Sequence, residues 1–262
     1  MSLDGWSGPV VGILGGLGPA ATVTFLDELV RLTDAHQDQD HVDVGVLQHG
    51  SIPDRTAAIL GDGPSPGPVI ARDAQRLAAL GVDLIALPCN SAHAFRDEID
   101  ADLPVELISI VDITADRAAR VAHEKLLPES AGEKAGRGES DAPHTAAIFA
   151  TAGTIAAGTY ARALESRGVT PWIPPADMQA QITGIIYDQV KAGEPADVGL
   201  LTDLTDKALS AGADVVVFGC TELSIIYAAE ESLKARPEIV DSLRSLVLTT
   251  IERSGRRVRD SA

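Results

Sequence analysis

Gly81-Val-Asp-Leu-Ile-Ala-Leu-Pro-Cys89-Asn-Ser is answered in the second half of the chain by Gly212-Ala-Asp-Val-Val-Val-Phe-Gly-Cys220-Thr-Glu. Each copy opens on a glycine suited to stopping a helix and passes through an aspartate into four apolar residues. Each ends on a cysteine followed by polar residues, and glycine and cysteine lie eight positions apart in both. So short an apolar run, without polar alternation and punctuated by Gly and Pro, reads as a strand buried on both faces. The halves also begin alike. Val10–Leu14 runs into Gly15-Gly-Leu-Gly18, and Thr145–Phe149 runs into Thr151-Ala-Gly-Thr154. Together these features are an internal repeat, and they predict an α/β protein of two similar lobes facing each other. A chance match of one short stretch is the competing reading, and the matched opening loops weigh against it.

Outward from these stretches, strands alternate with helical patterns, as βαβ units and parallel sheets require. Val42–Leu47, Leu84–Leu87, Val105–Ile110 and Val215–Phe218 read as further strands. Pro19 opens a helix whose buried face carries Ala21, Phe25, Leu29 and Leu32. Ile70, Ala74, Leu77 and Ala78 mark a helix stopped by Gly81, and Ile113 to His123 reads as another. In the second half, helices are expected over Ala156–Arg167, on the Ile182/Ile185/Ile186/Val190 face ending near Gly193, and on the Leu201/Leu204/Ala208 face ending at Gly212. Glu238–Arg253 reads as a last helix or strand–helix unit. Residues 124–143 combine charge, Gly and Pro with little periodicity, which predicts a flexible linker or surface insertion.

Composition narrows the class. Of 262 residues 45% are hydrophobic, yet there are only four Phe, three Tyr and two Trp, so the core must be aliphatic. That suits helices packed on parallel strands. A net charge of −17 disfavours nucleic acid and anionic membrane surfaces as partners. No apolar stretch approaches the roughly 20 residues of a membrane span. Met1–Pro9 has neither a basic region nor an apolar run, so no secretory signal is expected. Two cysteines make no disulfide scaffold, and reduced thiols in the cytoplasm are the expectation.

Both cysteines fall where a parallel strand ends and a helix begins, the place where open α/β sheets bind ligands. Helix N-terminal N–H groups there favour a thiolate, and a free thiol near pKa ~8.5 needs only modest help. Each cysteine taken singly reads equally as a small buried hydrophobe. A disulfide is disfavoured by the compartment, and no Cys-x-x-Cys or His-rich spacing supplies a metal site. As a symmetric pair across a cleft, one thiolate can take a proton from a tetrahedral carbon while the other thiol delivers one to the opposite face. That inverts the centre, and it requires one member protonated and the other not. Gly15-Gly-Leu-Gly18 is neither a dinucleotide fingerprint nor a Walker loop. It reads as a tight strand–helix turn, either purely structural or offering backbone N–H groups to a carboxylate.

Six ordered motifs carry a resemblance. Gly12-Ile-Leu-Gly-Gly-Leu-Gly-Pro19, Ile52-Pro-Asp-Arg-Thr56, Leu87-Pro-Cys-Asn-Ser-Ala-His93, Thr151-Ala-Gly-Thr154, Tyr187-Asp-Gln-Val-Lys-Ala-Gly193 and Gly219-Cys-Thr-Glu-Leu223 make the chain resemble the aspartate/glutamate racemases, the aspartate branch most. The resemblance runs from about residue 10 to about 250, leaving out the 124–143 segment. It implies two pseudo-symmetric three-layer α/β lobes with mainly parallel sheets and an active site in the cleft between them. It implies a cofactor-independent amino-acid racemase, without metal or pyridoxal phosphate, acting on a small-molecule substrate as a homodimer. Cys89 and Cys220 match the two catalytic positions. Arg55 and Lys191 match residues that hold a side-chain carboxylate, which fits an arginine fork and a lysine point charge. Asn90, Ser91, Thr221 and Glu222 match binders of the amino-acid moiety, and Gly16 and Thr151 complete the expected substrate-binding set. Because the last segment of such folds returns to the first lobe, residues 1–110 with 237–262 are assigned to one lobe and 111–236 to the other.

Departures bear on the substrate. Leu17 stands where methionine is common, Ser91 where threonine is usual, and Met178-Gln179 where Glu-Gln is frequent; Gln48-His-Gly ahead of Ile52 is unusual. Glutamate, a broad range of amino acids or hydantoins are therefore alternative substrates, and a non-catalytic amino-acid-binding homologue is the alternative of another class. His93 is expected to tune the Cys89 thiol or to dock its helix, and Asp54 to act as a loop or cap residue.

Overall fold

The computed structural model describes residues 6, 8–124 and 144–260. The linker expected at 124–143 lies outside the described residues except for Glu124. Strands β1 (Val11–Gly15), β2 (Val44–Gln48), β3 (Leu84–Ala86) and β4 (Glu106–Ile108) form one parallel sheet in the order β2-β1-β3-β4. Strands β5 (His144–Phe149), β6 (Val169–Trp172), β7 (Val215–Phe218) and β8 (Ile239–Asp241) form a second in the order β6-β5-β7-β8. The two orders are the same once the second half is renumbered, so the repeated cysteine strands β3 and β7 occupy the same place. Ile13 pairs with Ala86 beside Cys89, and Phe149 pairs with Phe218 beside Cys220.

Strand alternation divides the core into three bodies. Val11 and Ile13 face a central cluster, whereas Val10 and Leu14 face an outer one. In the second sheet Ala146, Ile148, Val215 and Val217 join the same central cluster, and Ala147, Phe149, Val216 and Phe218 face the opposite outer one. Both faces of both sheets are thus covered, which is why these strands read as unbroken aliphatic runs. The central body is built from crossed-over helices. After β4 the chain enters helix Ile110–Glu124, which packs on β5, β7 and helix Thr159–Glu165 of the second half. After β8 it enters helix Ser242–Arg253, which packs on helix Pro19–Leu32 of the first half. Ala115, Ala118 and Ala122 give the first of these a close-packing face.

Several boundaries differ from the sequence reading. A division at 236/237 would cut β8 from its sheet, since Ile239 pairs with Val216 and Val240 with Val217. The helix that follows β8 returns to the first half, and beyond it Val258 bridges to Thr33. The helix expected over Ala156–Arg167 is two, Ala152–Ala157 and Thr159–Glu165, parted at Gly158, whose φ of 64° is left-handed. Strand β6 was not anticipated: Pro171 breaks its pattern, and the strand is tolerated because it lies at the sheet edge.

Candidate active site

Cys89 follows β3 and Cys220 follows β7, so the two parallel sheets deliver both thiols to one place. A narrow cleft, about 10 Å³ in volume, is lined by both cysteines together with Leu17, Arg55, Asn90, Ser91, Lys191 and Glu222. Thr151 and Thr221, also expected, line it as well. Both cysteines are free and buried. Of the expected residues only Gly16 is not brought to the cleft. Its N–H donates to Thr22 Oγ1 at 3.0 Å, and a Cβ there would lie 2.5 Å from the His49 backbone. At φ 97° it serves the tight turn itself.

The surroundings of the two sulfurs differ. Cys220 caps helix Thr221–Ala229, and its thiol donates to Glu222 Oε2 at 3.0 Å. Burial pushes this thiol well above its ordinary range, and the adjoining carboxylate pushes it further. The thiolate expected at this helix end is therefore not favoured: a helix dipole contributes about 0.3–1 kcal/mol, less than burial beside a full negative charge. Cys89 precedes a 3₁₀ segment, Ser91–Phe95, rather than an α-helix, and its sulfur lies 3.6 Å from Ser91 Oγ.

His93 docks rather than tunes. Its Nδ1 meets the Cys89 carbonyl at 2.9 Å, and its Nε2 accepts from the Ile110 N–H at 3.3 Å. Burial lowers its pKa, so the neutral ring fixes the backbone of Cys89 without touching the sulfur. Asn90 is held as firmly. Tyr160 donates to its Oδ1 at 2.6 Å, and its Nδ2 donates to Ser242 Oγ at 3.0 Å. Two residues from the second half of the chain thus fix an amide of the first half beside its thiol.

Arg55 opens helix Arg55–Leu60, which Asp54 caps through Ala57 N–H at 2.7 Å. Its guanidinium donates to the carbonyls of Pro53 (3.1 Å) and Leu17 (2.9 Å), and its buried Nε has no partner among the described residues. Carbonyls orient the fork without neutralising it. Lys191 instead lies 3.7 Å from Glu222 and 4.4 Å from the Tyr187 ring centre. Burial pulls its pKa down, but attraction to Glu222, Tyr187 and Cys220 outweighs this and the net shift is upward, so it is a cation. A π-helical turn, Ile185–Val190, sets Tyr187 and Lys191 toward the cleft.

The sequence reading did not single out Asp54, Thr56, Thr154 and Gly219 as cleft residues. Thr154 was legible in the Thr151-Ala-Gly-Thr154 loop, where it contacts Thr151 Oγ1 at 3.1 Å. Thr56 had no local signal, because its place depends on the halves meeting. Tyr187 donates to it at 3.0 Å, and Gly153 approaches so closely that a Cβ would lie 2.8 Å from Thr56 Cα.

Two buried thiols on matching strands, facing one cleft with an unneutralised arginine, agree with a family comparison: residues 14–250 match the model of the Asp/Glu/hydantoin racemases. The chain belongs to the Asp/Glu/hydantoin racemase family. Membership makes it an amino-acid racemase in class. Over 92% of its length it is 25% identical to the broad specificity amino-acid racemase RacX of Bacillus subtilis (strain 168), covering 96% of that protein. Its fold matches the Picrophilus torridus aspartate racemase at 26% identity and TM-score 0.76, covering 97% of each chain. The glutamate racemase of Francisella tularensis subsp. tularensis SCHU S4, solved with D-glutamate, shares the fold at 15% identity and TM-score 0.58, over 94% of this chain and 82% of that one. Among the described residues no helix is long and apolar enough to cross a membrane.

Proposed function

We propose that the chain interconverts L- and D-aspartate, or a close acidic analogue, by a two-base mechanism at Cys89 and Cys220. The observation that carries this reading is the opening of both buried thiols into one cleft beside Arg55. One sulfur takes the α-proton as the other delivers a proton to the opposite face, and the reverse turnover exchanges the roles. Cys220, kept protonated by burial and by Glu222, starts as the acid. Cys89, across the cleft, takes the base role in that direction of turnover. Negative charge developing on the substrate passes into its α-carboxylate, and Asn90, Ser91, Thr151 and Thr221 offer hydrogen-bond donors to it. Arg55 receives the side-chain carboxylate, and Lys191 adds a second cation when Glu222 turns to the substrate ammonium. Closure of the two lobes over the cleft excludes water from this exchange.

Chiral chromatography of each enantiomer of aspartate, in the presence and absence of EDTA and of added pyridoxal phosphate, tests the reading. Racemisation indifferent to both additions is expected. Binding of aspartate without α-proton exchange overturns it in favour of an amino-acid-binding protein. A second reading, a broad substrate range, is favoured by the match to RacX along nearly the whole chain. Comparable turnover of neutral and acidic amino acids selects it. A homodimer in the cytoplasm completes the proposal; light scattering at assay concentration that gives a monomer overturns the first part.

A further inference from the structure

We propose a second, separate chemistry: Ser51 is a nucleophile activated as in serine hydrolases, able to take an acyl group from small activated esters. The unusual Gln48-His-Gly that follows β2 is the origin of this site. His49 Nε2 lies 3.0 Å from Ser51 Oγ, and His49 Nδ1 lies 2.5 Å from Asp73 Oδ2 on helix Gly67–Leu80. Asp73 is fully buried, and its other oxygen accepts from Arg76 at 2.6 Å. As a carboxylate held by an arginine it can only accept, so His49 carries its proton on Nδ1. Nε2 is then the acceptor that faces the serine hydroxyl. Nucleophile, base and orienting carboxylate thus stand in the order and on the nitrogens that activate serine, within the ordinary 2.6–3.2 Å reach apart from a slightly shorter His–Asp contact.

The arrangement is rigid at its base and open at its tip. The His49 backbone is fixed by its N–H bond to the Gly15 carbonyl at 3.1 Å and by the close approach of Gly16. The His49 side chain is 31% exposed, and Ser51 is exposed. A nucleophile this exposed selects for reactivity rather than shape, hence small activated acyl donors. In the step, Ser51 Oγ bonds to the acyl carbon as its proton passes to His49 Nε2. The ester C–O bond breaks, and the leaving alkoxide takes that proton. Water, deprotonated by the same imidazole, then releases the acid and restores Ser51.

The test uses the full-length chain with p-nitrophenyl acetate and, separately, a fluorophosphonate, with peptide mass spectrometry to locate the adduct. The expected result is an adduct on Ser51 in the native protein and in the Cys89→Ala/Cys220→Ala variant, which separates this site from the racemase thiols. His49→Asn keeps a donor toward Asp73 but removes the base, and should slow labelling roughly a hundredfold. Asp73→Asn, checked for folding by circular dichroism, should slow it comparably through the wrong tautomer. Ser51→Ala should lose the adduct and keep racemisation. No Ser51 adduct, or labelling that His49→Asn leaves unchanged, overturns the proposal.

Discussion

Replacing Tyr160 by Phe removes one oxygen from the buried link between the halves. The ring would stay: a Cβ on Gly219 would meet Tyr160 Cε2 at 2.8 Å, so the ring lies directly on that backbone and Phe keeps the contact. What is lost is the 2.6 Å bond to Asn90 Oδ1, at a residue that is 3% exposed. Leaving a buried acceptor without a partner costs about 1–3 kcal/mol. For a domain of this size each kcal/mol moves the melting temperature by roughly 2–4 °C, so a fall of about 4–8 °C is expected for the middle of that range. Asn90 also lines the cleft, and freed from Tyr160 it can rotate about its remaining bond to Ser242. Scanning calorimetry should therefore be paired with kcat/KM on aspartate, and both should fall. Ser242→Ala removes the other tether, so the double variant should be less damaged than the sum of the singles. A melting temperature within about 1 °C of the native protein, with unchanged kcat/KM, refutes the claim that this hydrogen bond holds the site across the two halves.

Further outcomes follow from the same geometry. Cys89→Ala and Cys220→Ala should each abolish racemisation with the fold retained, and product formed in D₂O should carry deuterium at Cα; activity in either variant, or retention of protium, contradicts two bases. Arg55→Ala should raise KM for acidic substrates by at least roughly tenfold, the equivalent of about 1.4 kcal/mol, and leave neutral ones nearly unchanged, read from initial rates on aspartate and alanine. Asp241, fully buried, caps helix Ser242–Arg253, and burial pushes its carboxyl up to about 6. The unfolded chain loses this proton near pH ~4 and the native protein only near 6, so folding stability falls as pH rises through that window, by about 3 kcal/mol. Asp241→Asn keeps a capping oxygen and should flatten the fall, as urea titrations at pH 4 and 7 would show.

The repeat was legible because its strands are buried on both faces. Such strands must be aliphatic throughout, and the run from Leu84 to Leu87 says so without any partner in view. The cysteines inherited that legibility, since a strand end in a parallel sheet is a fixed place. The sign of their electrostatics was not legible. A helix start suggested a favoured thiolate, but Glu222 two positions later sits 3.0 Å from the sulfur in a buried setting, and burial is a tertiary property. Thr56 and Tyr160 were out of reach for the same reason, because their partners Tyr187 and Asn90 come from the other half. The crossing of helix Ser242–Arg253 onto helix Pro19–Leu32 was legible only through resemblance. β8, joined to β7 rather than to the first sheet, corrected its boundary.

The two halves match in backbone and differ in chemistry beside their cysteines, where the proposed two-base scheme needs a difference. Two equal thiols sharing one cleft would, once a single proton is lost, divide the remaining proton evenly between them. Glu222 beside Cys220 breaks that evenness, because burial and the adjoining carboxylate both favour the protonated Cys220 thiol. Racemisation itself is symmetric: the two enantiomers are mirror images, so the equilibrium constant is unity and kcat/KM must be equal in the two directions. An asymmetric pair therefore shows itself only in kcat and KM taken separately, rising or falling together for one enantiomer against the other. Under the proposed two-base scheme, the enantiomer whose α-proton faces Cys220 needs that thiol deprotonated against burial and Glu222. It should therefore react through a smaller competent fraction of enzyme, with the difference hidden from kcat/KM by thermodynamic necessity.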